Sequence, residues 1–388
     1  MSVEAVIPDL VAAAPRPTPF SLRQRDAQSS ARVGLLRTAH AAIDTPNFMP
    51  VATAGTVKGL TPRQLIDAGA QILLSNAYHL SLRPGVDIVE SLGGLHDFMG
   101  WQGAILTDSG GYQIMSLAPL RKISDEGVRF QSHLDGAKLF LTPEDVVERQ
   151  HRLGVDILMP LDECIAADAP RSAVEQAMQR TTGWLERSGR VAIRPDRHLF
   201  GIVQGGLDMA LRREHAAQLA AFGHPGYAVG GLSVGEDRGV TREVAAVTAA
   251  ALPQDRARYL MGVGLPQDLL RFIAMGYDLF DCVLPTRNGR NGTCFTAAGR
   301  LNMRLARLAR DQQPIDPTCG CEVCRTFSRA YVRHLCVAGE MLGAQLASLH
   351  NVHFYLRLMA EAREHITAGD YTVWAAARAD AMDAGERA

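Results

Sequence analysis

PEDVVERQHRLGVDILMPLDE, residues 143–163, contains the unit from which most of this chain is built. Its first half has amphipathic helical periodicity and closes on Gly154, a candidate C-cap. Its second half, VDILMPLDE, is a short apolar run that breaks on Asp162-Glu163, as a buried strand does where it leaves a sheet. Seven further runs of the same kind surround it: PNFMPVAT (46–53), AQILLSNAY (70–78), GAILTDSGGYQ (103–113), LFGIVQGG (199–206), GYAVGGLSVG (226–235), RYLMGVG (258–264) and LFDCVLPTR (279–287). Amphipathic segments such as MALRREHAAQLAAFG and LPQDLLRFIAMGY lie between them. Eight strand–helix alternations place the chain in the α/β class and predict a (β/α)8 TIM barrel, with a doubly wound open sheet as the competing architecture.

The segments outside the repeat read differently. Residues 1–19 are Ala/Pro-rich and predict a flexible lead, whereas Phe20 to Thr45 alternates in character and predicts short antiparallel strands capping the barrel. VRFQSHLDGAKLFLTP places Asp135-Gly136 between two β-like runs, which is a hairpin signal. After the eighth run comes a basic, Cys-bearing stretch, so residues 20–388 are expected to form one catalytic domain with a metal-binding subdomain inserted at about 295–355.

Composition narrows the class without naming the function. A chain of 388 residues with 47% hydrophobic and 21% charged residues is an ordinary globular protein, and the formal net charge of -1 gives no global nucleic-acid signal. The N-terminus lacks a basic n-region and an uninterrupted apolar h-region, and no apolar run reaches membrane-spanning length. Seven cysteines, three of them crowded together, match cytosolic thiol and metal usage and not a disulfide framework.

In a barrel the active site forms where strands end at their C-terminal edge. There the runs deliver Asp108, Asp162 and Asp281 together with Gln204 and Gly-Gly pairs at 110–111, 205–206 and 230–231. One such Asp is more often a helix N-cap, but three on different strand ends converge on one pocket. Paired carboxylates suit glycosyl chemistry, one at the anomeric carbon and the other moving a proton. Cys319, Cys321 and Cys324 have the spacing of soft tetrahedral zinc ligands that need a fourth partner. His334, His350 and His353 all lie downstream, and spacing does not choose among them. Arg287 and Arg290, then Arg304, Arg307 and Arg310 at helical spacing, and Arg325, Arg329 and Arg333, suit an RNA backbone, although a solvated helix face explains the helical ones equally well.

Taken together, TDSGGYQ, SHLDG, DILMPLDEC, GIVQGG, GYAVGGLSVGE, YLMGVG, FDCVLPTRNGRNG and CGCEVC followed by SRAYVRHL resemble the tRNA-guanine transglycosylases, from about Phe20 to Tyr371. The resemblance implies Asp281 as nucleophile on the ribose C1′ and Asp108 as general acid/base. It implies that Asp162, Gln204 and the backbone of Gly230, Gly231 and Leu232 read the base, that Tyr112 and Met261 sandwich it, and that Arg287 and Arg290 hold RNA. It selects Cys319, Cys321, Cys324 and His350 as ligands of one structural zinc ion. Cys164, Val234 and the end of the chain soon after the zinc region resemble the bacterial type. That type implies 7-aminomethyl-7-deazaguanine exchanged for guanine at the wobble position of tRNAs for Asp, Asn, His and Tyr with GUN anticodons, by a cytoplasmic homodimer. A barrel glycoside hydrolase, or an inactive RNA-binding partner subunit, would differ in acceptor or in lacking the acid pair.

Overall fold

The computed structural model describes residues 18–111, 121–132 and 134–387. The expected lead therefore lies almost wholly outside the described residues, as does Tyr112. All eight apolar runs become parallel strands: β1 (Asn47–Pro50), β2 (Ile72–Asn76), β3 (Ala104–Asp108), β4 (Ile157–Leu158), β5 (His198–Leu199 and Gly201–Val203), β6 (Gly226–Val229), β7 (Ala257–Leu260) and β8 (Leu279–Cys282). Strand β8 pairs in parallel with β1, and Val51 bridges to Leu74, so β1 also meets β2 and the sheet closes into the expected barrel. Strand β5 is interrupted at Phe200. Its first half pairs with β4 and its second with β6.

Alternate residues point inward, as the two-residue period of a strand requires. Met49, Leu74, Leu106, Met159, Phe200 and Tyr259 belong to one buried cluster that fills the barrel. Gly226 opens β6 because a Cβ there would lie 2.4 Å from the Phe200 ring. The 143–163 unit folds as read: Thr142 caps helix Pro143–Arg152 in a reciprocal capping box with Asp145, Pro143 occupies its first turn, and Gly154 follows at φ 75°.

Strands Phe20–Arg25, Arg32–Arg37 and Ala42–Thr45 form the antiparallel cap, and Phe20, Leu36 and Ile43 join the barrel-filling cluster. Two buried carboxylates at the N-terminal ends of barrel strands pin this cap. Asp278 takes a bidentate pair from Arg32, with Nε to Oδ1 at 2.9 Å and Nη2 to Oδ2 at 2.5 Å. Asp156 receives His40 at 2.8 Å, His96 at 3.1 Å and Arg197 at 3.1 Å; burial pushes its carboxyl up, but the hydrogen bonds from His96, His40 and the Ile105 N–H outweigh it and hold the group at about 2.

Strands Gly127–Gln131 and Lys138–Leu141 form the hairpin read at Asp135-Gly136, joined by Lys122–Ser124. Beyond β8 come helix Leu284–Arg290, a hairpin of Thr293–Thr296 with Gly299–Asn302, a 3-10 turn Ala306–Arg310, and helices Glu322–Thr326, Arg329–Ala338, Met341–Ala368 and Tyr371–Arg387. The 28-residue helix Met341–Ala368 packs along helix Leu284–Arg290 and against β1, which ties the cysteine region to the barrel. Among the described residues no helix is long and apolar enough to cross a membrane.

Candidate active site and metal centre

The loops after β3, β4, β6, β7 and β8 surround a cavity of about 500 Å3 at the C-terminal edge of the barrel. Asp108, Asp162, Met261, Asp281 and Arg287 line it, together with the backbone of Gly230, Gly231 and Leu232. Side chains separated by up to 179 positions thus meet because each follows a barrel strand.

Each carboxylate is held differently. Asp281 lies within β8, and its Oδ1 accepts the Tyr259 hydroxyl at 2.6 Å and the Gly262 N–H at 2.8 Å. Burial raises its pKa while these two donors favour the anion. Asp108 closes β3, and its Oδ2 accepts Asn76 Nδ2 at 3.1 Å. Asp162 is 9% exposed, and its Oδ2 accepts Gln204 Nε2 at 2.7 Å. Burial pushes its carboxyl up to about 6. Gln204 does not itself line the cavity; it stands behind Asp162. Its own N–H donates to His215 Nδ1 at 2.8 Å, while His215 Nε2 meets the Thr182 hydroxyl at 3.0 Å. Burial drops His215 to about 4, so the imidazole is neutral and acts as an acceptor for Gln204.

Close packing at this edge favours glycine. A Cβ on Gly111 would lie 2.8 Å from Asp162 Oδ1, and one on Gly230 would lie 2.8 Å from Gln204 Nε2. The wall of the cavity is therefore backbone, with polar atoms within reach of a flat ligand.

Away from the cavity, the Cys319, Cys321 and Cys324 thiols and the His350 ring are buried, and their donor atoms all lie within 4.8 Å of one another. His350 Nδ1 is 3.3 Å from Cys324 Sγ and 3.6 Å from Cys321 Sγ. His350 Nε2 is 2.7 Å from the Phe295 carbonyl, which only accepts, so Nε2 carries the proton and the Nδ1 lone pair faces the sulfurs. Tetrahedral zinc with Zn–S bonds of about 2.3 Å sets ligand atoms about 3.8 Å apart, so the group fits such an ion. With four protein donors, no coordination position is left for a substrate.

A family model described as queuine tRNA-ribosyltransferase matches residues 26–384. A queuine tRNA-ribosyltransferase of Thermus thermophilus is 51% identical over 353 residues, 91% of this chain and 92% of the relative. One from Symbiobacterium thermophilum is 49% identical over 368 residues, 95% and 92% respectively, and one from Solidesulfovibrio magneticus is 51% identical over 362 residues, 93% and 96%. The chain belongs to the queuine tRNA-ribosyltransferase family. It is an enzyme of the pentosyltransferase class.

Within this member of the family the basic residues separate into groups. Arg287 reaches the cavity, whereas Arg290, on the same short helix, is exposed outside it and donates Nε to the Thr286 carbonyl at 3.1 Å. Arg307 and Arg310 sit on a 3-10 turn that Arg304 precedes, so the three do not form one α-helical stripe. Arg329 pairs with Asp311 at 3.0 Å and Arg333 donates to the Leu305 carbonyl at 2.8 Å, so both brace the fold locally.

Tyr259 and Arg212 are not among the residues that the sequence singles out. Tyr259 looks like an ordinary aromatic of an apolar strand, yet it sits two residues before Met261 and so shares Met261's inward face, which was the available signal. Arg212 looks like one of several charged residues on a surface helix, but it is fully buried.

Proposed function

We propose that this chain cuts guanine from position 34 of tRNAs for Asp, Asn, His and Tyr with GUN anticodons and inserts 7-aminomethyl-7-deazaguanine, the step that commits those tRNAs to queuosine. The observation that carries the reading is the convergence of Asp108, Asp162 and Asp281 from three strand ends on one cavity.

The chemistry follows from three differently held carboxylates. Asp281, whose anion Tyr259 and Gly262 stabilise by hydrogen bonds, attacks C1′ of the ribose as the C1′–N9 bond breaks, forming a ribosyl ester. Asp108 gives a proton to the departing guanine. As the carboxylate it then takes the N9 proton of the incoming base, whose nitrogen attacks C1′ and releases Asp281. Two inversions restore the β configuration, and Asp108 reverses its role as microscopic reversibility demands. Asp162 accepts from N1–H and the exocyclic amine of the base, and Gln204 orients it. Met261 supplies one face of the base slot and Tyr112 the other, while Arg287 and Arg290 hold the anticodon strand.

Cys319, Cys321, Cys324 and His350 would hold one zinc ion, which when bound crosslinks the cysteine region to helix Met341–Ala368 and contributes folding energy there. The enzyme works on tRNA in the cytoplasm, as a homodimer. The test is incorporation of labelled guanine into unmodified tRNA-Tyr. Incorporation that persists when G34 is replaced, or transfer of the ribosyl group to water instead of a base, refutes the proposal.

A further inference from the structure

We infer that Arg212 is a positioning residue for base recognition: its guanidinium turns the peptides of Gly230 and Gly231 so that two backbone N–H groups face the cavity and read an acceptor on the base. The inference rests on the base-exchange reading above and extends it to a residue that never touches the ligand.

Arg212 lies near the start of helix Met209–Ala220 and is 0% exposed. Its partners are four backbone carbonyls: Nε donates to Gly206 at 2.8 Å, Nη1 to Val203 at 3.1 Å and Gly230 at 2.8 Å, and Nη2 to Gly231 at 3.2 Å. Two of these carbonyls belong to the end of β5 and its loop, and two to the loop after β6, so one rigid fork clamps both loops. Burial lowers the guanidinium's pKa to about 10, which leaves it charged at neutral pH.

The consequence for the cavity follows from peptide geometry. The peptides after Gly230 and Gly231 are trans, and in a trans peptide the C=O and the following N–H point in opposite directions. With both carbonyls drawn to Arg212, the N–H groups of Gly231 and Leu232 point away from it, toward the cavity that both residues line. Gly231 has φ 66°, and a Cβ there would lie 2.5 Å from Gln204 Oε1, so a side chain at this position would be strained. The next two N–H groups, of Ser233 and Val234, are taken by Glu236 at 2.5 and 2.9 Å. The wall therefore carries an acceptor, Asp162, beside two donors set by Arg212. That pattern complements the amine, N1–H and O6 edge of a guanine-like base. Arg212 governs the donor half alone.

Three bases separate the two halves. 6-Thioguanine keeps the amine and N1–H but replaces O6 with a poor acceptor, and hypoxanthine keeps O6 and N1–H but lacks the amine. Inhibition constants of guanine, 6-thioguanine and hypoxanthine are measured against tRNA exchange for wild type and Arg212→Lys. The variant should bind guanine at least tenfold more weakly and bring the guanine to 6-thioguanine ratio close to one, with the guanine to hypoxanthine ratio unchanged. A folded variant that keeps both ratios refutes the inference alone, because a merely structural arginine would lower stability without selecting among bases. A wild type that binds none of the three refutes the base-exchange reading and the inference with it. If the variant does not fold, wild-type amide exchange decides: guanine should slow exchange at Gly231 and Leu232 more than 6-thioguanine does, and equal slowing or none overturns the inference.

Discussion

In the proposed reaction, where Asp162 reads the base, its raised carboxyl makes base affinity a function of pH. Only the anion accepts from the N1–H and amine of the base, and in the empty cavity burial holds the group's pKa at about 6 against an ordinary value of 3.8. Two donors on the carboxylate favour the anion in the complex, so binding selects the deprotonated fraction and releases a proton below pH 6. The apparent dissociation constant is the limiting value divided by that fraction, which makes binding about elevenfold weaker at pH 5 than at pH 7.5 or above. The raised pKa also sets the sign for stability. Its contribution is fully present below about pH 3.8 and is lost as pH rises through about 6, so at neutral pH the ionised group is held at a cost of about 3 kcal/mol in folding free energy. Calorimetric titration with 7-aminomethyl-7-deazaguanine from pH 4.5 to 8 in buffers of different ionisation enthalpy reads both affinity and proton release. The latter should be about three-quarters of a proton per base at pH 5.5. Asp162→Asn should abolish the slope while weakening binding, and Asp281→Asn should leave the slope in place. Affinity that stays flat from pH 5 to 7.5, or a slope that survives in Asp162→Asn, refutes the assignment.

Other consequences of the site are tested more directly. Asp281→Ala should form no covalent RNA adduct on a denaturing gel, while wild type accumulates one when no free base is present; an adduct that persists there but vanishes in Asp108→Ala would reverse the two roles. Tyr259→Phe removes a donor to the Asp281 anion, so the acid limb of the pH–rate profile should move to higher pH and kcat/KM should fall at least about tenfold at neutral pH. An unshifted limb would show that the Tyr259 contact does not tune the nucleophile. His350→Ala should lose zinc, measured per chain by elemental analysis, and should melt in the cysteine region before the barrel, whereas His353→Ala should retain the metal. Equal zinc content in both would overturn the ligand set.

Most of the architecture was legible in the order of residues because its signals are local. A parallel strand covered on both faces reads as an unbroken apolar run, and the helix before Gly154 announces both of its ends, so eight strands were countable from the sequence alone. Asp108, Asp162 and Asp281 stood out because a carboxylate at the C-terminal end of such a run belongs at the barrel mouth and not in the core, and the crowded cysteines have the spacing of metal ligands. What the tertiary structure decided were contacts across long separations, which no local pattern encodes. The donor that completes the cysteine cluster, His350, comes from a helix that also carries the rival candidate His353. Only the fold turns His350 Nδ1 toward the sulfurs, with Phe295 fixing its other nitrogen. Likewise Gln204 meets Asp162 across 42 positions, Tyr259 meets Asp281 across 22, and Arg212 holds a loop 18 or 19 residues away. Each is a buried polar group beside the strand ends, where loss of water must be offset by a specific partner, and the closure of the barrel determines which partner is within reach.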